Sequence, residues 1–407
     1  MNILFLHPNF PAQFYRLAVH FAQHCEGRHR VMFLTRNAGK NRIRNIEVAV
    51  YQVSESPKDV HPYARAMNDA VLTGEAVARA LILLREKAHF VPDVIIGHTG
   101  WGSTLFVKEV YPKVPLIGYF EWYYHAFGSD VGYWPEDKVS FETQCRLRAI
   151  NAHHLVNLET CDASVTPTFW QRQQFPLKYR LSMRVIHEGI DTSFFRPAIE
   201  KPAMVLPRNG LNLTGAEEVV TYLSRGFEPY RGFLQFMEAV RILLRRRPGC
   251  HVVLAGNDKA MYGPDPAPKK TWRALEEAKG GYDKKRVHFV GHLDYESYLH
   301  FLQASTVHVY LTRPFVLSWS VLEALSAGCC VVGSATPPVE EVLQDGENGL
   351  LASYRHPESI AARIEEALDD ASLRNRLGGA GRETILNTYD LADCLRRQTS
   401  LIYQVMK

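Results

Sequence analysis

Short apolar runs alternate with longer amphipathic segments along the first half of the chain. The segment Ala64–Lys87 repeats apolar residues at helical spacing, whereas the runs are too short for helices and are predicted as strands. Because strands that alternate with helices form parallel sheets covered by those helices, this pattern predicts an α/β fold. The predicted strands of this half are NILFLH, RVMFLT, DVIIGH, PLIGYFE, ASVTPT and RVIHEG.

The alternation stops at Phe194–Asn212, a stretch rich in proline and polar residues, and then restarts. Helices are predicted over Phe233–Arg246 and after Trp319, and the predicted strands are EVVTYL, HVVLAG, VHFVGH, VHVYLT, CCVVGS and GLLA. We therefore predict two α/β domains, residues 1–195 and 213–385, joined by a linker over 196–212. The chain ends in a helical, charged tail, and we expect residues 386–407 to pack back on the first domain.

Composition and charge narrow the class of protein. The chain is 46% hydrophobic and 22% charged, which is typical of a soluble globular protein. The formal net charge of +4 is too small and too spread out to indicate a nucleic-acid partner. Seven scattered cysteines without metal-ligand spacing predict reduced thiols in the cytosol and no metal site.

The N-terminal residues MNILFLHPNF form a short apolar run without a basic leader. No segment approaches the ~20 apolar residues that a membrane-spanning helix needs, so we expect a cytoplasmic protein. Basic clusters at residues 28–44 and 241–249 are explained most simply as solvated faces. The alternative is peripheral contact with a membrane surface that carries a lipid-linked acceptor.

A single carboxylate, Glu323, stands near the start of the apolar helix that begins at Trp319. Ser318 suits the N-cap of this helix, and the amides around Ser318, Trp319 and Ser320 are placed to hold a diphosphate. A carboxylate can accept hydrogen bonds from both hydroxyls of a ribose. These residues therefore predict a nucleotide site. The alternative is a glutamate in the capping region that faces solvent.

Two arginines follow a predicted strand in the same half. Arg225 lies just after the strand and Arg231 opens the next helix. Two fixed cations can neutralise a diphosphate leaving group, which is the main electrostatic need in breaking a sugar–phosphate bond. The alternative is a pair of surface arginines. Other strand ends, at Gly256, Asn257 and Gly291, are predicted to frame the nucleotide base.

Three runs in the sequence resemble the retaining glycosyltransferases of family 4. These runs are IHEGIDTSFFRP, LEALSAGCCVVGS and PPVEEVLQDGENGLL. The resemblance implies the GT-B fold, in which two Rossmann-like parallel-sheet domains face each other across a cleft. It implies that Glu323 binds the ribose, that Glu341 is a loop acid near the donor, and that Arg225 and Arg231 replace an Arg–Lys pair. The spacing of these two arginines is one residue longer than usual.

The sequence departs from this family at Phe315. Family members carry two glutamates separated by seven residues, and Phe315 takes the place of the first, which holds the donor sugar. The loop HPNFP after the first strand also replaces a usual pair of glycines. Phe315 therefore predicts a differently built sugar pocket.

Acceptor recognition is predicted in the first half. His98 follows a buried strand, and the resemblance implies that it contacts the donor sugar near the reacting carbon; a structural histidine is the alternative. Residues 117–137 are dense in aromatic side chains, which stack on sugar rings, although an aromatic core also explains them. The predicted acceptor-binding residues are Asn9, Phe10, Trp101, Glu121, Tyr124, His125 and Asp130.

The function predicted from these features is transfer of a sugar from a nucleotide-diphosphate donor to an acceptor hydroxyl, with retention and without metal or cofactor. His98, Arg225 and Arg231 are the predicted catalytic residues. We expect a UDP-sugar rather than a GDP-sugar, and a glycan, lipid-linked or small-molecule acceptor. The alternative from another class is a protein that binds nucleotide sugars without turnover. A sugar phosphorylase is less consistent with the sequence, because its pyridoxal-phosphate lysine has no evident place.

Overall fold

The computed structural model describes residues 1–407 except 25–27, 41, 264–265 and 268–269. The chain divides into two compact units. The first unit contains Met1–Gly189 and Leu391–Lys407, and the second contains Ile190–Asp390.

A parallel sheet organises the described part of the first unit. Its strands are β1 Asn2–Leu6, β2 Arg30–Thr35, β3 Ile46–Val50, β4 Val94–His98, β5 Leu116–Tyr119, β6 Ala163–Thr166 and β7 Arg184–Val185. They lie in the order β3-β2-β1-β4-β5-β6-β7, and every pair is parallel. The carboxyl ends of all these strands therefore lie at one edge of the sheet.

Alternation along the strands explains why helices cover both faces of this sheet. Ile3 and Phe5 belong to the core on one face, whereas Leu4 and Leu6 belong to the core on the other. The helices of this unit are α1 Tyr15–Val19, α2 Arg65–Lys87, α3 Val107–Val110, α4 Phe141–Ile150, α5 Ala152–Thr160, α6 Phe169–Gln174, α7 Leu177–Arg180 and α15 Leu391–Val405. Ile402 of α15 joins the core that contains Ile3, so the C-terminal helix completes the first unit.

The second unit is built around another parallel sheet. Its strands are β10 Val219–Gly226, β11 His251–Asn257, β12 Val287–Gly291, β13 Val307–Tyr310, β14 Val331–Ser334 and β15 Leu350–Ala352. They lie in the order β12-β11-β10-β13-β14-β15. Its helices are α8 Phe233–Arg246, α9 Trp272–Lys279, α10 Tyr295–Gln303, α11 Trp319–Ser326, α12 Pro337–Glu340, α13 Pro357–Asp369 and α14 Ala371–Thr388. Two parallel-sheet α/β units confirm the predicted fold class.

The structure differs from the sequence-based boundaries in the middle of the chain. Residues 196–212, predicted as a linker, lie within the second unit. They contain β8 Met204–Leu206 and most of β9 Leu211–Leu213, and these two strands pair as an antiparallel hairpin. Met204 and Leu206 are buried in the core of the second unit, so this proline-containing stretch is packed structure.

Candidate functional site

Arg231 is a firmly held cation at the carboxyl edge of the second sheet. Its Nη1 donates hydrogen bonds to the hydroxyl of Tyr310 at 3.1 Å, to Oγ1 of Thr312 at 2.9 Å and to the carbonyl oxygen of Val316 at 3.0 Å. The side chain is buried, and its guanidinium lies 5.2 Å from the ring centroid of Tyr262. Arg231 is therefore a preorganised positive charge beside the ends of β10 and β13.

The start of α11 is hydrogen-bonded to Tyr310, which also accepts a hydrogen bond from Arg231. Ser318 is the N-cap, as predicted, and its hydroxyl accepts a hydrogen bond from the amide of Ser320 at 3.3 Å. The amide of Ser318 donates to the hydroxyl of Tyr310 at 2.9 Å. Two of the amides predicted to be free for a diphosphate are thus occupied within the protein, and Trp319, which is partly exposed, carries the third.

Glu323 lies one turn into α11, and its carboxylate is buried. Its Oε2 accepts a hydrogen bond from the hydroxyl of Tyr298 at 2.9 Å. Burial, with the adjacent Glu323 as the second cause, raises the pKa of Tyr298 well above its usual value, so this hydroxyl stays a donor. Tyr298 therefore fixes the orientation of the Glu323 carboxylate.

Phe315 belongs to an aromatic cluster with Tyr230 and Tyr262. Its ring centroid lies 5.6 Å from that of Tyr230 and 5.2 Å from that of Tyr262, both with steep interplanar angles. Only 8% of Phe315 is exposed. Tyr262 also faces the guanidinium of Arg231, so Phe315 packs against a ring that contacts this cation.

The other predicted donor residues lie at or near the carboxyl edge of the second sheet. Arg225 is exposed near the end of β10, and its carbonyl oxygen accepts a hydrogen bond from Asn257 Nδ2 at 3.1 Å. Gly256 and Asn257 end β11, Gly291 ends β12, and Glu341 follows α12. The two arginines thus differ: Arg231 is buried and fixed, whereas Arg225 is at the surface.

Sequence reasoning missed Glu228, a buried acid between these two arginines. Its Oε2 accepts hydrogen bonds from the amides of Met261 and Tyr262, the second at 2.7 Å. Burial raises the pKa of this carboxyl group, and the two hydrogen bonds oppose that shift. Glu228 therefore holds the loop that carries Tyr262. An acid between two candidate cations in RGFEPYRG was the available signal.

In the first unit, His98 is buried at the end of β4 with a defined ring orientation. The amide of Gly100 donates to His98 Nδ1 at 3.0 Å, so the proton of the neutral ring sits on Nε2. Nε2 lies 3.4 Å from Oε2 of Glu121. Trp101 packs on the ring at a centroid distance of 4.5 Å. The structure therefore brings His98, Trp101 and Glu121 together.

Two residues that the sequence did not single out complete this group. Gln13 donates from Nε2 to Oε1 of Glu121 at 3.1 Å, which holds the carboxylate beside His98. The ring of His7 lies 5.1 Å from that of His98, and burial lowers the pKa of His7 to about 3. His7 is therefore neutral beside the His98–Glu121 pair at physiological pH.

A cavity of about 640 Å³ opens beside these residues within the first unit. Three of the predicted acceptor residues, Asn9, Trp101 and Tyr124, line it. Its wall also contains Arg36 and His153, which were not predicted. The mixture of an exposed indole with charged and amide side chains is suited to a polyhydroxylated ligand.

The remaining predicted acceptor residues do not line this cavity. Phe10 is buried in the core of the first unit, and its ring centroid lies 5.0 Å from that of Phe33 on β2. His125 Nε2 lies 2.6 Å from the carbonyl oxygen of Gln174. Asp130 is buried and accepts a hydrogen bond from the hydroxyl of Ser129 at 3.2 Å. These three side chains contribute to packing in the structure.

The described residues contain no group of three or more histidine, cysteine or acidic side chains placed to hold a metal ion. Within the same described part of the chain, no helix combines the length and apolar character needed to cross a bilayer.

Two family models match the chain, one in each half. Residues 27–195 match the model described as "Glycosyl transferase family 4 group", and residues 208–384 match "Glycosyl transferases group 1". Both models describe glycosyl transferases, and neither covers half of the chain. The first half therefore resembles the family 4 group, and the second half resembles the glycosyl transferases of group 1.

Curated relatives of this chain are distant. Glycogen synthase of Mycobacterium tuberculosis is 25% identical over 206 residues, which cover 51% of this chain and 44% of the relative. The lipopolysaccharide core biosynthesis glycosyltransferase LpsE of Rhizobium meliloti is 30% identical over 176 residues, covering 43% and 47%. The matched segments thus span less than half of each of these relatives.

Solved structures agree with the fold over the whole chain. Sucrose-phosphate synthase from Thermosynechococcus elongatus has a TM-score of 0.72 at 19% identity, covering 100% of this chain and 99% of its own. HepE of Anabaena in complex with UDP-glucose has a TM-score of 0.72 at 16% identity, covering 99% and 100%. At these identities the likeness confirms the GT-B fold.

Proposed function

We propose that this chain transfers a sugar from a nucleotide-diphosphate donor to an acceptor hydroxyl, with retention at the anomeric carbon. One observation carries the proposal: the hydroxyl of Tyr310 accepts hydrogen bonds from both Arg231 Nη1, at 3.1 Å, and the amide of Ser318, at 2.9 Å. This hydroxyl joins a fixed cation to the start of α11. A fixed cation beside the positive end of the α11 dipole is suited to a diphosphate, although the amides of Ser318 and Ser320 donate within the protein.

The other donor residues take roles around this centre. Glu323, held by Tyr298, accepts the ribose hydroxyls, and exposed Arg225 adds a second positive charge on the diphosphate. In the reaction, the bond between the anomeric carbon and the phosphate oxygen breaks as the acceptor oxygen bonds to the same face. The acceptor proton passes to the leaving diphosphate. The buried Arg231 and the exposed Arg225 balance the developing charge, so the transfer proceeds without a divalent metal.

His98 and the cavity of the first unit provide the acceptor side of the proposal. His98 helps to orient the reacting groups, and Asn9, Trp101 and Tyr124 contact the acceptor. A glycan or lipid-linked acceptor is consistent with the description of LpsE as a lipopolysaccharide core glycosyltransferase. UDP is the first nucleotide to test, because HepE was solved with UDP-glucose.

Nucleotide binding is tested first, by melting shifts with UDP, GDP, dTDP and CDP. We expect UDP to raise the melting temperature most, since a ligand bound only to the folded state stabilises it. Glu323→Gln keeps an acceptor for Tyr298 but loses the charge, and we expect about tenfold weaker nucleotide binding. Glu365→Gln, on the surface of α13, is the matched control and leaves binding unchanged.

Turnover is tested with radiolabelled UDP-sugars and a panel of glycan acceptors, with and without EDTA. We expect transfer that survives EDTA and falls at least about tenfold in Arg231→Lys, because the shorter lysine lacks the planar guanidinium that faces Tyr262 while its Nη1 binds the three acceptors. Arg246→Ala, whose side chain pairs with Glu358 on the surface, is the control. Loss of transfer in EDTA that added metal restores would contradict the metal-free mechanism.

Binding without turnover is the second candidate, and the buried Phe315 favours it. A phenyl ring lacks the negative charge with which a carboxylate would stabilise the positive charge that develops at the anomeric carbon. Nucleotide binding that depends on Glu323, with no release of nucleotide from any donor in the presence of acceptors, would establish this candidate and overturn the enzyme proposal.

A further inference from the structure

Three large apolar side chains protrude from one part of the first unit. Phe169 in α6 is 53% exposed, Leu177 in α7 is 71% exposed, and Leu181 just after α7 is 92% exposed. Leu177 and Leu181 are four residues apart in helical backbone, so they point to the same side. Exposed apolar side chains that cluster in this way are unusual on a surface that contacts only water.

Arginines surround these side chains. A groove of about 430 Å³ contains Phe169 and Leu181 together with Arg172, Arg184 and Arg397. The guanidinium of Arg172 lies 5.0 Å from the ring centroid of Phe169, and Arg397 Nη2 donates to the carbonyl oxygen of Val185 at 2.7 Å. Among the described residues that line the groove, none carries a carboxylate.

In each of the two basic clusters noted in the sequence, at least one arginine pairs with an acid. Arg30 pairs with Glu47 at 2.7 Å, and Arg247 pairs with Glu218 at 2.6 Å. Lys178, beside the groove on α7, likewise pairs with Glu159 at 2.5 Å, so an acid balances its charge. The groove thus combines apolar tips with arginines whose charge no groove carboxylate balances.

We propose that this docking surface, formed by Phe169, Arg172, Leu177, Leu181, Arg184 and Arg397, binds the face of an anionic lipid bilayer. Leucine and phenylalanine side chains enter the boundary between headgroups and acyl chains, and arginines bind lipid phosphates at the same depth. An all-positive groove complements an anionic membrane, and protruding leucines need no preformed pocket in the partner. The surface lies apart from the cavity at Trp101, so it docks the enzyme without occupying the acceptor site.

Vesicle sedimentation of the purified full chain tests this proposal. Vesicles of phosphatidylcholine alone are compared with vesicles of equal parts phosphatidylcholine and phosphatidylglycerol. We expect the wild type to bind only the anionic vesicles, and Leu177→Ser/Leu181→Ser to bind them at least about tenfold more weakly. We expect Arg172→Gln/Arg184→Gln to weaken binding to the anionic vesicles by about fivefold for each arginine removed. Added salt should weaken wild-type binding to the same vesicles.

Leu83→Ser is the matched control, because Leu83 is 56% exposed on α2, outside the docking surface. Circular dichroism melting shows whether each variant is folded. Absence of wild-type binding, or equal binding by all variants, would overturn the proposal. Self-association of the wild type that Leu177→Ser/Leu181→Ser abolishes, without vesicle binding, would overturn it in favour of a second copy of this chain. The readout does not use sugar transfer, so it stands or fails independently of the proposed function.

Discussion

Arg231 is held more tightly than a surface arginine that merely attracts an anion. Its three acceptors, Tyr310, Thr312 and Val316, all follow or end β13, so the guanidinium is fixed before any ligand arrives. Preorganised charge of this kind costs little reorganisation when a leaving group develops negative charge. The aromatic ring of Tyr262 covers another side of the same cation.

Phe315→Glu tests whether the sugar pocket works better when position 315 carries the carboxylate that the sequence resemblance implies. We expect the variant to lose roughly 2–4 kcal/mol of unfolding free energy and to show no gain in turnover, because the carboxylate would be buried between Tyr230 and Tyr262. Urea unfolding and donor turnover measure the two effects.

Phe315→Leu is the control for loss of the ring alone, and we expect it to cost about 1–2 kcal/mol. A large rise in turnover for Phe315→Glu, at wild-type stability, would contradict this view of the aromatic cluster. That result would mean that the pocket accepts a carboxylate at this position.

At the scale of elements, the turn between β10 and α8 sets where Arg231 sits. Gly232 follows Arg231 as the N-cap of α8, with φ of +69°, and its carbonyl oxygen accepts a hydrogen bond from the amide of Phe236 at 2.9 Å. A Cβ at Gly232 would lie 2.6 Å from Cβ of Leu311. The turn therefore needs glycine both for its backbone conformation and for its packing.

Gly232→Ala separates these two needs when it is compared with Gly210→Ala. Gly210 has φ of +70°, but no atom lies within 4 Å of the position that a Cβ would take there. Its substitution should therefore cost only the conformational term, about 1 kcal/mol. We expect Gly232→Ala to cost at least about 2 kcal/mol, because Leu311 must also move. Urea unfolding measures both, and equal losses would show that the Leu311 side relaxes freely.

The sequence predicted most strands of both sheets, because nearly continuous apolar runs mark strands buried on both faces. It missed β3, whose residues are only partly buried at the sheet edge, so no such run marks it. It also assigned the hairpin of β8 and β9 to a linker, since proline and polar residues surround two strands of three residues.

Candidate site residues can be proposed from the sequence where they stand at strand ends or helix starts, and Ser318, Glu323, Arg231 and His98 were singled out in this way. The bridge through Tyr310 was not, because three segments separated in sequence meet at one hydroxyl. Phe10 was predicted to contact the acceptor, but its side chain is buried in the core. Composition identifies an aromatic side chain but does not show whether the ring faces a cavity or the core.

At the scale of the whole molecule, each unit carries a buried, neutral histidine. Burial, with His98 as a neighbour, lowers the pKa of His7 in the first unit to about 3. Burial alone lowers the pKa of His308 in the second unit to about 3. His308 Nδ1 lies 2.9 Å from the hydroxyl of Thr221, within the second sheet. Burial of each ring disfavours its protonated, charged form.

These two histidines predict that the protein loses stability in mild acid. Between the unfolded pKa of about 6.5 and the folded value of about 3, the unfolded chain binds more protons, so falling pH favours unfolding. The contribution of each histidine to the free energy of unfolding is complete above about pH 6.5. This contribution falls by about 2 kcal/mol for each histidine between about pH 7 and about pH 5. Urea unfolding followed by circular dichroism at these two pH values measures the change.

His308→Gln tests the assignment, because the amide keeps a polar partner for Thr221 but cannot titrate. We expect the variant to be less stable than the wild type near neutrality, yet to lose about 2 kcal/mol less between about pH 7 and about pH 5. The comparison therefore rests on the change with pH and not on the absolute stability. An unchanged pH dependence would mean that His308 keeps the same protonation in the folded and unfolded states. In that case other buried groups would account for the acid sensitivity of the second unit.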